Sequence, residues 1–211
     1  MNQLGLTPIQ IEVARIFFGL DESRGYVVSG GAALLASDLI ARGTEDLDLF
    51  TSPPTDHVTP ASAALREELN KRGYAVTTVQ ESVTFCRLLI SRDDNEVLVD
   101  LGIDSPPLTP PTLTLLGPTL PALELAGRKL LALFGRAEAR DFADVYRLAQ
   151  HWSTATLMEQ AHALDPGLDP DVLAQMLATM SRFTDSEIPL PEREVPTARE
   201  FFATWAGQLN V

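Results

Sequence analysis

The sequence predicts a mixed α+β fold, in which a small mixed sheet flanked by helices is followed by a helical C-terminal part. Two observations support this prediction. As far as about residue 103, short apolar runs that alternate like strands are interleaved with stretches of helical periodicity. A proline-rich stretch then breaks the pattern, and only helical periodicity follows it. We therefore expect two domains, residues 1–118 and residues 119–211.

The first predicted element is an amphipathic helix near the N-terminus. Thr7 suits the N-cap position and Pro8 the first helical position. The apolar residues that follow recur at helical spacing, so this helix is expected to pack on the first domain. These residues are Ile9, Val13, Ile16, Phe17 and Leu20.

A strand, a glycine turn, a short helix and a second strand follow. The first strand is expected at Tyr26–Val28, the turn at Ser29-Gly30-Gly31, and a second turn at Arg42-Gly43-Thr44. The second strand carries Asp46-Leu47-Asp48-Leu49-Phe50. Side chains alternate along a strand, so the two aspartates share one face while the two leucines point into the core.

This arrangement suits a divalent metal and a phosphate, although each part has an ordinary explanation. Two carboxylates on one sheet face suit a divalent metal. A glycine turn before a helix suits a phosphate, because backbone N–H groups and the helix dipole face it. Taken singly, a Gly-Gly pair is usually only a turn, and an Asp-x-Asp is usually a solvated edge.

The rest of the first domain is predicted to contain one helix and three strands. The Asp93-Asp94-Asn95 turn indicates that the last two strands pair as a hairpin. In the last strand, Asp100 lies opposite the apolar face, together with Leu98 and Gly102. The predicted helix covers about residues 60–72, and the strands are Tyr74–Val79, Val83–Ser91 and Glu96–Ile103.

The second domain is predicted to be helical, with a polar stripe near its start. If one nearly continuous helix covers this segment, the residues of the stripe lie at steps of seven, four and four on one face. Asp141 lies off that face, and Gly135 is a candidate helix break. The alternative is a solvated surface, with the lysine stem on apolar residues and ordinary ion pairs around it. The stripe residues are Lys129, Arg136, Arg140 and Asp144, and the helices cover about residues 121–134, 138–150, 154–163, 170–183 and 197–209.

Composition and charge limit the possible partners. The net charge of −13 argues against sequence-independent DNA binding, because an acidic surface repels the phosphate backbone. The single cysteine, Cys86, forms no intrachain disulfide and is expected to be a core residue. No signal-peptide pattern and no membrane-spanning apolar run is visible, so we expect a cytoplasmic protein without a membrane partner.

The two motifs together resemble a known family. Gly30-Gly31 followed by Asp46-x-Asp48 resembles the DNA polymerase β-like nucleotidyltransferase superfamily. The downstream run from Lys129 through Arg140-Asp141 to Asp144 is similar to that of the AbiEii/AbiGii-type toxin nucleotidyltransferases, which include the MenT-type toxins. The resemblance covers residues 26–50 and 125–148.

This resemblance implies an enzyme with a defined reaction. Members are toxins of bacterial toxin–antitoxin modules (type IV-like, AbiE-type), and several transfer a nucleoside monophosphate from an NTP to the 3′ end of tRNA. Pyrophosphate is released. The implied partners are an NTP, a tRNA or other RNA acceptor and a cognate antitoxin, and the implied cofactor is Mg²⁺ or Mn²⁺.

The resemblance also implies roles for individual residues. Asp46 and Asp48 would hold the metal, and Asp100 would be a third ligand or merely an acid at the strand end. The second domain would contribute Lys129 to the same cleft, where it would stabilise the triphosphate, and Asp141 or Asp144 would orient Lys129 or contact the nucleotide. The remaining nucleotide-binding candidates are Ser29, Gly30, Gly31, Arg42, Thr44 and Arg140.

Three other interpretations remain open at the level of sequence. The same motifs serve enzymes that transfer a nucleotide to a small molecule such as an antibiotic. A nucleotidyltransferase-like binding protein that has lost its chemistry is a second alternative. The third is a structural domain whose acids are merely solvated.

Overall fold

The protein has the α+β architecture that the sequence predicts, as seen in a computed structural model that describes residues 5–209. The chain divides into two units, one ending at Pro121 and the other beginning at Ala122. The first combines a sheet with helices, and the described part of the second contains helices without strands. The separation of mixed and helical segments therefore follows the change of periodicity along the sequence.

A seven-stranded mixed sheet forms the centre of the first unit. Its spatial order is β3-β4-β5-β2-β1-β7-β6. β2 runs parallel to β5 and β1 runs parallel to β7, whereas the other neighbouring pairs are antiparallel. The strands are β1 (Val27–Ser29), β2 (Asp46–Thr51), β3 (Ala75–Glu81), β4 (Phe85–Arg92), β5 (Asn95–Ile103), β6 (Thr112–Thr114) and β7 (Gly117–Thr119).

Three helices accompany this sheet in the described part of the unit, namely α1 (Pro8–Phe17), α2 (Gly30–Ala36) and α3 (Thr59–Lys71). The predicted cap is confirmed, because the Thr7 hydroxyl accepts a hydrogen bond from the Gln10 N–H at 3.3 Å. Val13 and Phe17 are fully buried, which gives α1 its packing face. The helix ends at Phe17, so Leu20 lies beyond it.

The hairpin of β4 and β5 follows its predicted turn. Asp93 takes a φ of +54°, and Arg92 pairs with Asn95 across the turn. The positive φ is one that Asp tolerates better than most residues. From this turn the register continues to Phe85 opposite Gly102.

The two strands of the proline-rich segment, β6 and β7, were not predicted from the sequence. Each has only three residues, and Pro118 lies within β7. A proline removes only its own N–H donor, so the neighbouring residues can still pair. Thr119 pairs with Val28 of β1 and is fully buried. The predicted domain boundary after residue 118 falls inside this strand.

The second unit is built from five helices within the described residues. Asp169 caps one of them by accepting from the N–H groups of Asp171 (2.8 Å) and Val172 (3.2 Å). Aromatic rings contribute to its core, where Phe142 and Phe202 are in edge-to-face contact at 5.1 Å. The helices are α4 (Ala122–Arg136), α5 (Ala139–Leu148), α6 (Thr154–Leu164), α7 (Pro170–Ala178) and α8 (Val195–Leu209).

None of the helices within residues 5–209 combines the length and the apolar character that a membrane span requires.

The first prediction concerns the core side of β2. Leu49 is fully buried, so Leu49→Ala should lower the free energy of unfolding by about 2–5 kcal/mol through lost apolar contact and an unfilled cavity. Leu113 is 84% exposed, and Leu113→Ala should change it by less than about 0.5 kcal/mol. Urea denaturation followed by circular dichroism measures both. Equal effects would contradict the assigned strand faces.

Candidate functional site

The two aspartates of β2 lie on the face opposite the core, as the sequence predicts. Leu47 and Leu49 are fully buried, whereas Asp46 and Asp48 are half-buried. The difference follows from strand alternation, because each residue type occupies every second position. The apolar anchors thus fix which way the carboxylates project.

Strand register extends this face into a polar row across the sheet. Asp48 lies opposite Ser29 of β1 on one side and opposite Asp100 of β5 on the other. Asp100 in turn lies opposite Arg87 of β4. Residues paired across neighbouring strands share a face, so these four side chains form one row. Three of its members were predicted site residues, and Arg87 was not.

The Gly-Gly pair provides space for side chains of the site. Gly30 has a φ of +63°, and a Cβ added there would lie 1.7 Å from Oδ2 of Asp48. A Cβ at Gly31 would lie 2.9 Å from Oγ1 of Thr44. Only glycine therefore allows Asp48 and Thr44 to approach the start of α2 this closely.

A buried glutamine holds the segment that leads into β2. Gln10 is 1% exposed, and its Nε2 donates to the carbonyls of Thr44 at 2.9 Å and Asp46 at 3.2 Å. Its Oε1 accepts the N–H of Thr7 at 2.8 Å. Sequence analysis missed this residue, although a polar residue at a capping-box position beside an apolar stripe was the available signal.

Asp100 is held by a bidentate ion pair. Arg87 donates from Nε to Oδ1 at 2.7 Å and from Nη2 to Oδ2 at 2.6 Å. The Asp100 side chain is 8% exposed, while that of Arg87 is 38% exposed. Hydrogen bonding to Asp100 raises the pKa of the Arg87 guanidinium, and the charges of Asp46 and Asp48 act in the same direction.

Whether a divalent metal fits this site depends on the carboxylates of Asp46 and Asp48. Within residues 5–209, no group of three or more His, Cys, Asp or Glu side chains is arranged to hold a metal ion. Asp46 and Asp48 still supply two carboxylates on one face. Mg²⁺ commonly binds through one or two carboxylates together with substrate phosphates and water, so this pair fits a metal that binds with a nucleotide. Asp100 as a further ligand stays a prediction.

In the second unit, the break predicted between helices at about residues 121–134 and 138–150 is confirmed, so the condition of one nearly continuous helix is not met. α4 ends at Arg136 and α5 begins at Ala139, and Ala137 between them has a φ of +48°. Gly135, the predicted break, lies inside α4. The chain therefore changes direction here, and the stripe defined by steps of seven and four is interrupted.

This change of direction brings Asp141 to the lysine. Nζ of Lys129 lies 3.3 Å from Oδ1 of Asp141 and 3.1 Å from Oδ2 of Asp144. Lys129 is 8% exposed and the acids are 0% and 1% exposed, so the interpretation of a lysine with its charge in solvent is wrong. The structure pairs Lys129 with both acids, and these three residues are called the lysine cluster below.

The arginines that the sequence singles out have different partners. Arg136 donates to Asp141 from Nε at 2.8 Å and from Nη2 at 3.0 Å. Arg140 donates to Glu138 at 2.8 Å and is 41% exposed. In the first unit, Arg42 donates to the carbonyl of Gly43 at 3.1 Å.

Asp141 stays ionised despite its burial. Burial by itself raises the pKa of the Asp141 carboxyl, but the hydrogen bond from Arg136 and the charges of Lys129 and Arg136 together outweigh it. The net result is a pKa below the ordinary value. The lysine cluster thus keeps its charges paired inside the unit.

Comparison with known proteins supports a nucleotidyltransferase interpretation. The sequence model of a family described as "Nucleotidyl transferase AbiEii toxin, Type IV TA system" matches residues 20–210. No curated protein sequence matches the chain. The family match includes the glycine pair, the carboxylates of β2 and the lysine cluster.

Solved structures share this fold at low sequence identity. JHP933 from Helicobacter pylori is 16% identical with a TM-score of 0.56, and the alignment covers 97% of this chain and 93% of that protein. A second H. pylori structure, described as a "putative nucleotidyltransferase", is 16% identical with a TM-score of 0.57 and coverages of 96% and 95%. MenT4, a nucleotidyltransferase toxin from Mycobacterium tuberculosis, is 15% identical with a TM-score of 0.51 and coverages of 93% and 92%.

The second prediction tests the close approach at Gly30. Gly30→Ala should destabilise the protein by more than the strain of a positive φ alone, which costs about 1–2 kcal/mol, because its Cβ would displace Asp48. Gly73→Ala is the matched control, since Gly73 has a φ of +80° and a Cβ added there would meet no atom within 4 Å. Urea denaturation compares them. Equal losses would show that Asp48 does not lie against Gly30.

The third prediction concerns pH. The Asp141 pKa is lower folded than unfolded, so its contribution is complete above the ordinary pKa of about 4 and is lost as pH falls through the folded value. The urea midpoint of the wild type should therefore fall as pH drops from 5 to 3. Asp141→Asn should lower the midpoint at pH 7 and flatten this dependence, whereas Asp171→Asn, at an exposed position, should not. An unchanged slope in Asp141→Asn would contradict the assignment.

Proposed function

The chain belongs to the AbiEii nucleotidyltransferase toxin family, and we propose that it transfers a nucleoside monophosphate from an NTP to the 3′ end of a tRNA. The observation that carries the proposal is the position of the Asp48 carboxylate against the backbone of Gly30, with Asp46 on the same strand face. It supports the proposal because the acid lies beside the backbone to which the motif assigns the nucleotide phosphates. We also propose a cytoplasmic site of action and a cognate antitoxin.

The juxtaposition of Asp48 and Gly30 is informative because it joins an acid to a predicted anion site. A phosphate at Gly30 would lie beside the Asp48 carboxylate and be repelled by it. A divalent cation removes this conflict, since carboxylates and phosphates together make a ligand set suited to Mg²⁺ or Mn²⁺. Such a metal, when bound, supplies charge neutralisation and activation of the attacking hydroxyl.

The residues of the first unit would bind and orient the reactants. Asp46 and Asp48 would hold the cation, and the backbone N–H groups of Gly30 and Gly31 would contact the phosphates. Gln10 fixes the segment from Thr44 to Asp46 through two hydrogen bonds, so the carboxylates require little reorganisation when the nucleotide arrives. Pre-positioned charge is the largest contribution that such a site makes to phosphoryl transfer.

The proposed reaction is a displacement at the α-phosphorus. The 3′-hydroxyl oxygen of the acceptor forms a bond to this phosphorus and loses its proton to solvent water. The bond between the α-phosphorus and the oxygen that bridges it to the β-phosphate breaks, and pyrophosphate leaves with the electron pair. The nucleotide is thereby added to the RNA end.

Lys129 is the proposed cationic group of the second unit, and this role stays a prediction. Its ammonium is fixed by Asp141 and Asp144, so it is oriented rather than mobile. An ammonium in that state can act as a point charge toward a triphosphate. Arg140 and Arg42 remain proposed partners in binding the nucleotide.

The fourth prediction tests the reaction directly. Purified protein should label total tRNA with one or more of the four α-³²P NTPs in the presence of MgCl₂, as seen on a denaturing gel. Asp46→Ala and Asp48→Asn should each reduce this labelling by roughly 100-fold or more, because each removes a metal ligand. Asp94→Asn, in the exposed turn between β4 and β5, is the matched control and should retain activity.

The same assay separates the alternatives. Labelling of an aminoglycoside in place of tRNA would favour a small-molecule transferase. Binding of NTP without transfer to any acceptor would favour a binding protein that has lost its chemistry. Transfer that persists in both aspartate variants would contradict the proposed site.

A further inference from the structure

We propose that Asp100 is a positioning residue for Arg87 and not a metal ligand, and that Arg87 binds the phosphates of the NTP. This inference rests on the proposed function and adds a residue to its site. The family resemblance implies that Asp100 is either a third metal carboxylate or merely an acid at the strand end, whereas the structure gives both of its oxygens to one guanidinium. The cation of this pair thus becomes the candidate for binding substrate.

Register brings Arg87 to the site. Arg87 faces Asp100, and Asp100 faces Asp48, across the adjacent strands β4, β5 and β2. Neighbouring strands are about 4.8 Å apart, so two steps across the sheet separate the backbone of Arg87 from that of Asp48 by roughly 10 Å. An arginine side chain extends over much of this distance. The charges of Asp46 and Asp48 accordingly act on the guanidinium.

The difference in burial assigns the two roles. The side chain of Asp100 is 8% exposed, and a buried carboxylate requires a hydrogen-bonded partner. Arg87 provides that partner while its own side chain remains 38% exposed. The ion pair uses two of the five guanidinium N–H groups, which leaves donors that suit a phosphate. The acid is therefore the anchor, and the arginine faces the ligand.

Electrostatics also disfavours a metal on Asp100. A divalent cation bound to this carboxylate would share it with a guanidinium whose nitrogens lie 2.6 and 2.7 Å from its oxygens. The two cations would repel each other at close range. A triphosphate reverses this relation, because Arg87 and a metal on Asp46 and Asp48 can bind different oxygens of the same anion.

Two binding measurements on the purified full chain test the inference without relying on turnover. Isothermal titration calorimetry with ATP, GTP, CTP and UTP in MgCl₂ gives the nucleotide affinity. Electron paramagnetic resonance of free Mn²⁺, without nucleotide, gives the metal affinity. The variants are Arg87→Gln, Asp100→Asn and the double variant. Arg92→Gln is the matched control, because Arg92 lies on the same strand, is 39% exposed and forms a comparable pair with Glu12.

The expected pattern separates the two roles of Asp100. Arg87→Gln should weaken nucleotide binding by roughly 10- to 100-fold, the loss of charge-assisted hydrogen bonds, and should not weaken Mn²⁺ binding. Asp100→Asn should also weaken nucleotide binding while leaving Mn²⁺ binding intact, and the double variant should be no weaker than Arg87→Gln alone. Arg92→Gln should change neither affinity.

Opposite results overturn the inference. A tenfold loss of Mn²⁺ affinity in Asp100→Asn would show that Asp100 is a metal ligand. Full nucleotide binding by folded Arg87→Gln would overturn the role of Arg87 alone, whereas a wild type that binds none of the four nucleotides would overturn the proposed function as well. If circular dichroism shows that Arg87→Gln is unfolded, the nucleotide affinity of Arg87→Lys tests the role of Arg87 instead. It keeps the charge but loses the planar fork, so it should bind nucleotide several-fold more weakly, and unchanged binding would refute the role.

Discussion

The close approach of the Asp48 carboxylate to the backbone of Gly30 is the constraint on which the candidate site depends. It requires a residue without Cβ that tolerates a positive φ, and Gly30 meets both conditions. It also requires β1 and β2 to pair with Ser29 opposite Asp48. The buried leucines of β2 and the hydrogen bonds from Gln10 keep that strand in register. Gly30, the pairing of β1 with β2 and the helix α1 thus all maintain the close approach of Asp48 to Gly30.

Buried acids of this acidic protein are paired with cationic side chains. Asp100 is paired with Arg87 in the first unit, and Asp141 and Asp144 are paired with Lys129 in the second. Buried ion pairs add little net stability, because desolvation costs about as much as the attraction returns. What these ion pairs do is hold the cationic side chains in fixed orientations. Each buried acid fixes a cation, and cations in fixed positions are what the binding of a triphosphate requires.

The family match and the shared fold agree with each other. The family match spans residues 20–210, and structural neighbours that are 15–16% identical share the fold over more than nine tenths of both chains. Fold is thus retained where most side chains differ. A shared fold does not fix function, and the residues proposed to carry it here are the carboxylates of β2, Arg87 and Lys129.

The sequence by itself determined whatever depends on neighbouring residues. The cap at Thr7, the alternation of β2 and the Asp93-Asp94 turn were all predicted from the sequence, because each interaction spans only a few positions. The tertiary structure alone decided the pairs that are distant in the sequence, Arg87 with Asp100 and Lys129 with Asp141. The first needed the register of a whole hairpin. The second needed a turn at Ala137, a residue with no local preference for a positive φ, so only the packing of α4 on α5 could place that acid beside the lysine.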